Sequence, residues 1–341
     1  MVSFIIPVYN TENYIDRCLE SILRQTNNDY EVIIINDGSK DKSEEKCLGY
    51  SNLNDNVLLF SQENQGVSNA RERGREEAKG EWIVYVDSDD YINENYCNYI
   101  LKNGSNYDYI ILSKNFETDK EMSEADKDDI IMTTMGIKNG KYRNCRGNAV
   151  TSKAYRKQFL MENNIKFMTD ILHGEDLLYN LSILSCNPKT LLAKEEVYYL
   201  QNNPNSVTHK YQPHLLENEL LFYEKLRQII EKYRDNKLLL ELYNLSIINS
   251  LWLILCQYLY HKNNTMKKKE RRQNIKEIVK KEIYMGAYLS IKFTNMSKYK
   301  SLIVRLFLEQ KYCTAEILLK LRTLTKVFKK CTRSAPKISS I

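Results

Sequence analysis

Three carboxylates stand within four residues at Asp87-Ser88-Asp89-Asp90. They follow an apolar run, Trp82-Ile83-Val84-Tyr85-Val86, which reads as a buried strand. Like charges this close repel one another unless a cation or a bound substrate is present. Ligands of open α/β sheets bind at the C-terminal edge of the strands. Clustered carboxylates suit hard, oxygen-loving ions such as Mg²⁺ or Mn²⁺. The cluster therefore reads as a metal-dependent site that handles phosphate. Asp89 is the expected metal ligand, and Asp87 is expected to contact a ribose or a bound water. The alternative is a strand-end turn with a helix cap.

Other polar residues fall at comparable places. Tyr9-Asn10 follows the apolar run Phe4-Ile5-Ile6-Pro7-Val8, and Asn36-Asp37 follows Val32-Ile33-Ile34-Ile35. Asn64 lies just beyond Val57-Leu58-Leu59-Phe60. Four polar tips on adjacent strands build one crevice, of the kind that takes a nucleotide. The chain has no G-x-G-x-x-G and no G-K-[ST] loop, which argues against a dinucleotide or Walker-type ATP site. Asp37 could accept a hydrogen bond from a base or simply form the Asn-Asp-Gly-Ser turn. Tyr9 could stack on a base or cover the sheet edge. Arg71 could reach a phosphate or the carboxylate cluster, or lie on the surface. A second acidic pair, Glu175-Asp176, follows His173-Gly174. Successive helix side chains diverge by ~100°, so only one of the pair can point squarely into a cleft. Asp176 is a candidate general base; the alternative is a carboxylate favoured by a helix N-terminus.

The elements that would position these residues alternate over the first ~110 residues. Strand patterns at 4–9, 32–35, 57–60 and 82–86 are separated by helical patterns at 15–23, 41–50 and 66–79, with Thr11 or Asn10 as a cap for the first. That order implies a parallel sheet with right-handed crossovers. Further on, 109–112, 191–193 and 197–200 read as strands, 152–163 and 175–186 as helices, and the acidic stretch 117–130 as an exposed loop. From about 215 the chain is helical. Its strongest apolar stretch, Leu251–Tyr260, is too short and too interrupted to span a bilayer. The domain reading is 1–215 as a catalytic domain, split into a nucleotide half (1–110) and an acceptor half (111–215), followed by a basic helical region, 216–341.

The composition is that of a globular protein: 341 residues, 43% hydrophobic and 28% charged, with only 11 Gly and 5 Pro. Eight scattered Cys form no C-x-x-C pair and no signal peptide precedes the first strand, so free thiols in a reducing cytosol are expected. Charge is uneven. Residues 261–341 hold 21 Lys+Arg against five Glu and no Asp, a net of +16; the remainder carries 29 basic and 39 acidic residues, a net of −10. Such tails meet anionic lipid, nucleic acid or an acidic partner.

Five blocks, taken in order and spacing, closely resemble glycosyltransferase family 2, inverting enzymes of the GT-A fold. They are Phe4–Asn10, Val32–Ser39, Asn64–Arg71, Val86–Asp90 and Gly174–Asp176. The resemblance covers roughly residues 1–210. It implies an α/β GT-A sheet, mainly parallel and flanked by helices, and a nucleotide-diphospho-sugar donor, most often UDP-linked. It implies that Pro7 and Tyr9 line the base pocket, that Asp37 binds the uracil, and that Asn64 and Arg71 lie near the ribose and diphosphate. Asp87 and Asp89 match the D-x-D motif, with Ser88 between them in the donor site and Asp89 on Mn²⁺ or Mg²⁺. Asp176 matches the base that deprotonates the acceptor hydroxyl, and Lys153-Ala154-Tyr155-Arg156 resembles the stretch that precedes this base. Many members carry an Arg after the Tyr198-Tyr199 strand, where this chain has Gln201. Ser206 and His209 are kept, and His209 is a candidate metal ligand or a plain surface histidine.

The reaction so implied is a single displacement on a UDP-sugar with inversion, onto a glycan, lipid-linked or polymer acceptor of the bacterial cell surface, such as teichoic acid. A nucleotidyltransferase would show a Gly-rich, Lys/Arg-bearing loop after the first strand, where this chain has Pro-Val-Tyr-Asn-Thr-Glu. A non-catalytic protein binding nucleic acid through its tail is the other alternative, but the tail lacks a recognised nucleic-acid motif. Lys267–Lys269, Arg271-Arg272 and Lys280-Lys281, with an apolar face of Leu302, Ile303, Leu306 and Phe307 beside Arg305, instead suggest helices lying on the anionic inner face of the cell membrane. A solvated helical region that forms homo-oligomers is the competing expectation.

Overall fold

The structure, a computed structural model, describes residues 1–137, 140–201, 203, 211–233, 237–290 and 298–321. Strands β1 (Val2–Val8) and β2 (Tyr30–Asp37) are buried at every position, with no polar alternation. That pattern belongs to parallel strands covered on both faces. Helix α1 (Ile15–Leu23) joins them, burying Ile15, Cys18, Leu19 and Ile22. Its span is the one expected, but its cap is not: Asn10 has φ 53, which turns the chain, and the N-cap is Tyr14, with no side-chain cap bond. The Asn10 and Thr11 polar groups instead tie this loop to residues 39–43 and to Ser88. Helix α2 (Ser43–Leu53), β3 (Val57–Gln62), α3 (Val67–Glu77) and β4 (Trp82–Tyr85) complete the βαβαβαβ run. A Cβ at Gly74 would collide with Ile5 Cγ2, so glycine there lets α3 lie close against β1. This brings Arg71, one turn earlier, over the strand tips.

Beyond β4 come β5 (Tyr91–Ile92), α4 (Tyr96–Asn103), β6 (Tyr109–Leu112), β7 (Lys120–Glu121), α5 (Glu124–Thr134), β8 (Lys153–Arg156), α6 (Lys157–Glu162), α7 (Glu175–Ser185), β9 (Thr190–Ala193) and β10 (Tyr198–Tyr199). The main sheet has the order β3-β2-β1-β4-β8-β6-β9-β7. Strand β8 is antiparallel to both β4 and β6, and β7 is antiparallel to β9; the other pairs are parallel. Six strands therefore point one way, and their C-terminal tips share one edge. The short pair β5-β10 is antiparallel and stands apart.

Two expectations for this half are corrected. Residues 117–130 are not an exposed loop. They hold β7 and the start of α5, which opens with a capping box between Ser123 and Asp126 and buries Ile130 and Ile131. Residues 152–163 are not one helix. Lys153–Arg156 pairs as a strand before α6 begins, because Ala154 and Tyr155 each complete the core. Part of the tyrosine excess is explained here. Tyr85, Tyr109, Tyr155 and Tyr179 pack with Phe167 into one aromatic layer, and Asn180 Oδ1 accepts from the hydroxyls of Tyr109 and Tyr155.

The chain divides into two compact units, Met1–His209 with Leu221–Arg234, and Lys210–Leu220 with Asp235–Ile341. Helix α8 (Leu215–Ile230) begins at the residue where the domain boundary is expected, but its residues from Leu221 onward belong to the first unit. There Phe222 packs against Gly174 and Lys225 pairs with Asp170. The second unit holds α9 (Lys237–Leu253), which continues into a π-helical turn, Ile254–Leu259, then α10 (Lys268–Lys280), α11 (Glu282–Ser290) and α12 (Lys298–Leu308). Among the described residues one run, Leu239–Leu259, is long and apolar enough by composition to cross a membrane, and so is longer than the stretch expected from sequence. Of an 18-residue apolar stretch within it, 61% is buried within the protein, and α9 packs on α11. The seven cysteines among the described residues are all free.

Candidate active site

Asp87, Ser88 and Asp89 follow β4 at the shared edge, where the backbone turns and the Asp90 N–H bonds to the Asp87 carbonyl. Each carboxylate of the cluster has a different environment. Asp87 accepts from the Arg71 guanidinium at 2.9 Å. Asp89 accepts from Asn203 Nδ2 at 2.9 Å, on one oxygen, and is half-buried. Asp90 is buried and accepts from the Tyr198 hydroxyl at 2.9 Å and the Gln201 N–H at 2.8 Å. Burial pushes the Asp90 carboxyl up to about 6, against the pull of those two donors. Ser88 is buried, and its Oγ lies 3.2 Å from that of Thr11.

Arg71 is the centre of the arrangement. It is 4% exposed, donates to Asp176 Oδ1 at 2.6 Å as well as to Asp87, and lies 3.6 Å from Glu175 Oε1. These carboxylates hold it protonated although burial opposes the charge. Arg71 is thus buried and paired with the carboxylates of Asp87 and Asp176. The reason is packing: α3 presses on β1, and Arg71 reaches across the tip of β4 to the start of α7. Gly174, with φ +92, opens α7, and a Cβ there would lie 2.6 Å from Phe222. Glu175 and Asp176 then fall in the first turn of α7. Asp176 Oδ2 accepts from the Val150 N–H at 3.3 Å. Burial raises the Asp176 carboxyl above the usual range and Arg71 pulls it back; burial and the Asp176 charge raise Glu175.

The other expected residues sit at the same edge. Pro7 is within β1, and Tyr9, just beyond its tip, is 48% exposed. Asp37 is 3% exposed, and its carboxylate accepts from Gln62 Nε2, the Gln65 N–H and the Gly66 N–H at 2.8–2.9 Å. Asp37 thus braces the loop from β3 to α3, and three of its roughly four lone-pair sites are taken. Asn64 donates to the Asp37 carbonyl at 2.9 Å. His209 and Ser206 lie outside the described residues.

Three groups have site contacts that sequence reasoning did not find. Strand β10 and the residues after it clamp the acidic turn: the Tyr198 hydroxyl accepts from the Asp87 N–H at 3.0 Å while donating to Asp90. Gln201 and Asn203 reach Asp90 and Asp89, and Gln201 Oε1 also accepts from Arg17 at 3.0 Å. Arg17 in turn lies 3.6 Å over the Tyr91 ring, which stacks on Tyr199. Lys153, 2% exposed, donates to the carbonyls of Arg146 and Ala149, fixing the loop that carries Val150. Burial lowers its ammonium to about 7. The sequence signal for these was the Tyr198-Tyr199 pair and the lysine before Ala154-Tyr155.

Residues 3–163 match the model of the family described as glycosyl transferase family 2. The putative glycosyltransferase EpsH of Bacillus subtilis (strain 168) is 31% identical over 249 residues, covering 70% of each chain. The poly(ribitol-phosphate) beta-glucosyltransferase of Bacillus spizizenii is 30% identical over 218 residues, 58% of this chain and 32% of that protein. The crystal structure of S. aureus TarS 1-349 in complex with UDP aligns with a TM-score of 0.62 at 21% identity, over 94% of this chain and 91% of that one; the complex with UDP-GlcNAc gives the same figures. At that identity the likeness shows the fold, an α/β GT-A sheet with helices following it. The family model and the relatives agree: the chain belongs to glycosyltransferase family 2 and is a glycosyltransferase.

Proposed function

We propose that this enzyme transfers a sugar from a UDP-linked donor to a hydroxyl of a cell-surface polymer, of polysaccharide or teichoic-acid type, with inversion at the anomeric carbon. One observation carries the reading: a single buried guanidinium joins Asp87 of the D-x-D turn to Asp176 at the start of α7. Donor clamp and candidate base are thereby held in one rigid unit. The UDP and UDP-GlcNAc complexes of TarS and the polymer acceptor named for the Bacillus spizizenii relative support the donor and acceptor classes.

In this reading Pro7 and Tyr9 border the base, the remaining lone pair of Asp37 faces its N–H, Asn64 stands near the ribose, and Asp87 and Ser88 border the diphosphate. A divalent ion fits the donor set. Asp89 offers a hard carboxylate oxygen that takes no hydrogen bond among the described residues, and Mg²⁺ or Mn²⁺ needs only one or two carboxylates when phosphates and water complete its shell. When bound, such an ion neutralises charge on the departing diphosphate. Asp176 accepts the acceptor proton as that oxygen forms its bond to the anomeric carbon. The bond from that carbon to the diphosphate oxygen breaks, and UDP carries away the electron pair. Arg71 and the Val150 N–H keep the Asp176 carboxylate oriented throughout.

Asp176→Asn is expected to bind UDP as the wild type does and to lose about 10²–10⁴-fold in transfer. Near-normal turnover in this variant would sink the assignment of the base. EDTA is expected to abolish UDP release and Mn²⁺ to restore it; transfer that ignores chelation would remove Asp89 from the metal role.

A further inference from the structure

We propose that the exposed lysine stripe of α10 is an electrostatic adsorption surface for an anionic lipid bilayer. Lys269, Gln273, Lys276 and Lys280 recur at i, i+4, i+7 and i+11, which places them along one side of the helix, and all four are exposed. The opposite side carries Ile275, Ile278 and Val279, all buried. Lys267, Lys268 and Lys281 are exposed at the helix ends. Among the described residues none of these six lysines has a carboxylate within 4.0 Å. The two arginines of the helix are already engaged. Arg272 forms a two-pronged pair with Glu316, and Arg271 lies 5.0 Å over the Tyr260 ring. Exposed Glu270, Glu277 and Glu282 leave residues 267–282 at net +5.

The chemistry of the stripe selects the partner. Lysine ammonium groups are compact point charges, suited to a fluid array of headgroup phosphates. Recognition of nucleic-acid bases would use free arginine forks and exposed aromatic rings, and α10 has neither. Apolar insertion is not part of the device. Ile303 and Phe307, expected to form an apolar face beside Arg305, are buried in the core of the second unit, and of that group only Leu302 is exposed. The attraction is therefore coulombic, worth roughly fivefold in partitioning per lysine near an anionic surface.

The test is co-sedimentation of the full chain with vesicles of 2:1 phosphatidylcholine:phosphatidylglycerol and with pure phosphatidylcholine. At 0.1 M salt the wild type is expected on the anionic vesicles only, and 0.5 M salt should release it, because the Debye length shortens. The triple variant Lys269→Gln, Lys276→Gln, Lys280→Gln should partition about 10²-fold more weakly, with UDP release and the thermal midpoint unchanged. The corresponding triple Lys→Arg variant should bind like the wild type. Binding to both vesicle types alike, no binding to anionic vesicles, or a triple Gln variant that binds undiminished would each overturn the proposal. So would a salt-sensitive shift of duplex DNA at lower protein concentration than vesicle binding.

Discussion

Replacing Arg71 by Met tests the central bridge, because the two states of Asp176 respond to it in opposite ways. The guanidinium lies 2.6 Å from Asp176 and 2.9 Å from Asp87, so it favours the ionised form of both. An opposite charge at such range lowers an Asp pKa by about 1–3 units. Only the ionised Asp176 can accept a proton. Without Arg71, burial is opposed only by the Val150 N–H and the Lys153 charge, and the acid limb of kcat/KM should move to higher pH by about 1–3 units, a loss of roughly 10–10³-fold at pH values below the limb. Stability also falls. Breaking a buried pair costs about 3–5 kcal/mol, and the lower end applies because Asp87 and Asp176 keep 33% and 25% of their side-chain surface in water. UDP release measured from pH 5 to pH 9, with urea unfolding alongside, reads both effects. Arg71→Lys keeps one charge but not the two-pronged geometry and should lie between. An acid limb that stays in place in a folded Arg71→Met enzyme would refute Asp176 as the titrating base tuned by this arginine.

Two further outcomes are expected. Tyr198→Phe strips the Asp87 N–H of its acceptor and Asp90 of a donor, which should cost about 1–3 kcal/mol in urea unfolding and weaken UDP binding; an unchanged midpoint would mean the clamp does not form in solution. In the second unit Glu219 is buried, and burial raises its carboxyl to about 7 from 4.5. The folded state then holds a proton that the unfolded state has released, so stability is full below pH 4.5 and falls as pH rises through 7, by about 3 kcal/mol. Glu219→Gln should therefore melt higher than the wild type at pH 8 and alike at pH 4; equal melting at both pH values would contradict the buried, protonated state.

How legible the fold was depended on where each element lies. Strands β1, β2 and β4 were plain because central parallel strands are apolar throughout. Helix α5 was hidden because two of its four acidic residues turn inward: Asp126 is held by Ser123, Lys120 and Tyr142, and Asp129 accepts from the Tyr142 N–H. Composition reads such residues as solvated, although Ser123 and Asp126 had the spacing of a cap. Strand β8 was missed because four residues are too few to set one period against another. In the site, the family blocks marked the right edge of the sheet, and Asp87, Asp89, Arg71 and Asp176 all lie there. What they touch was not legible. Arg71 meets a residue 105 positions away, and Tyr198 meets Asp90 across 108; nothing local encodes either contact.

Strand β8 has a consequence for the order in which the sheet can be built on the ribosome. Trp82 and Ile83 take their second neighbours from Arg156 and Tyr155, made about seventy residues later. At roughly 5–20 residues per second, β4 stands with a bare edge for roughly 3–14 s after it emerges. Its neighbour β1, with β2 and β3 beyond it, is complete by then, so the nascent sheet is half finished and open along β4. A fragment that stops short of Lys153 would lack the strand that covers that edge in the complete sheet.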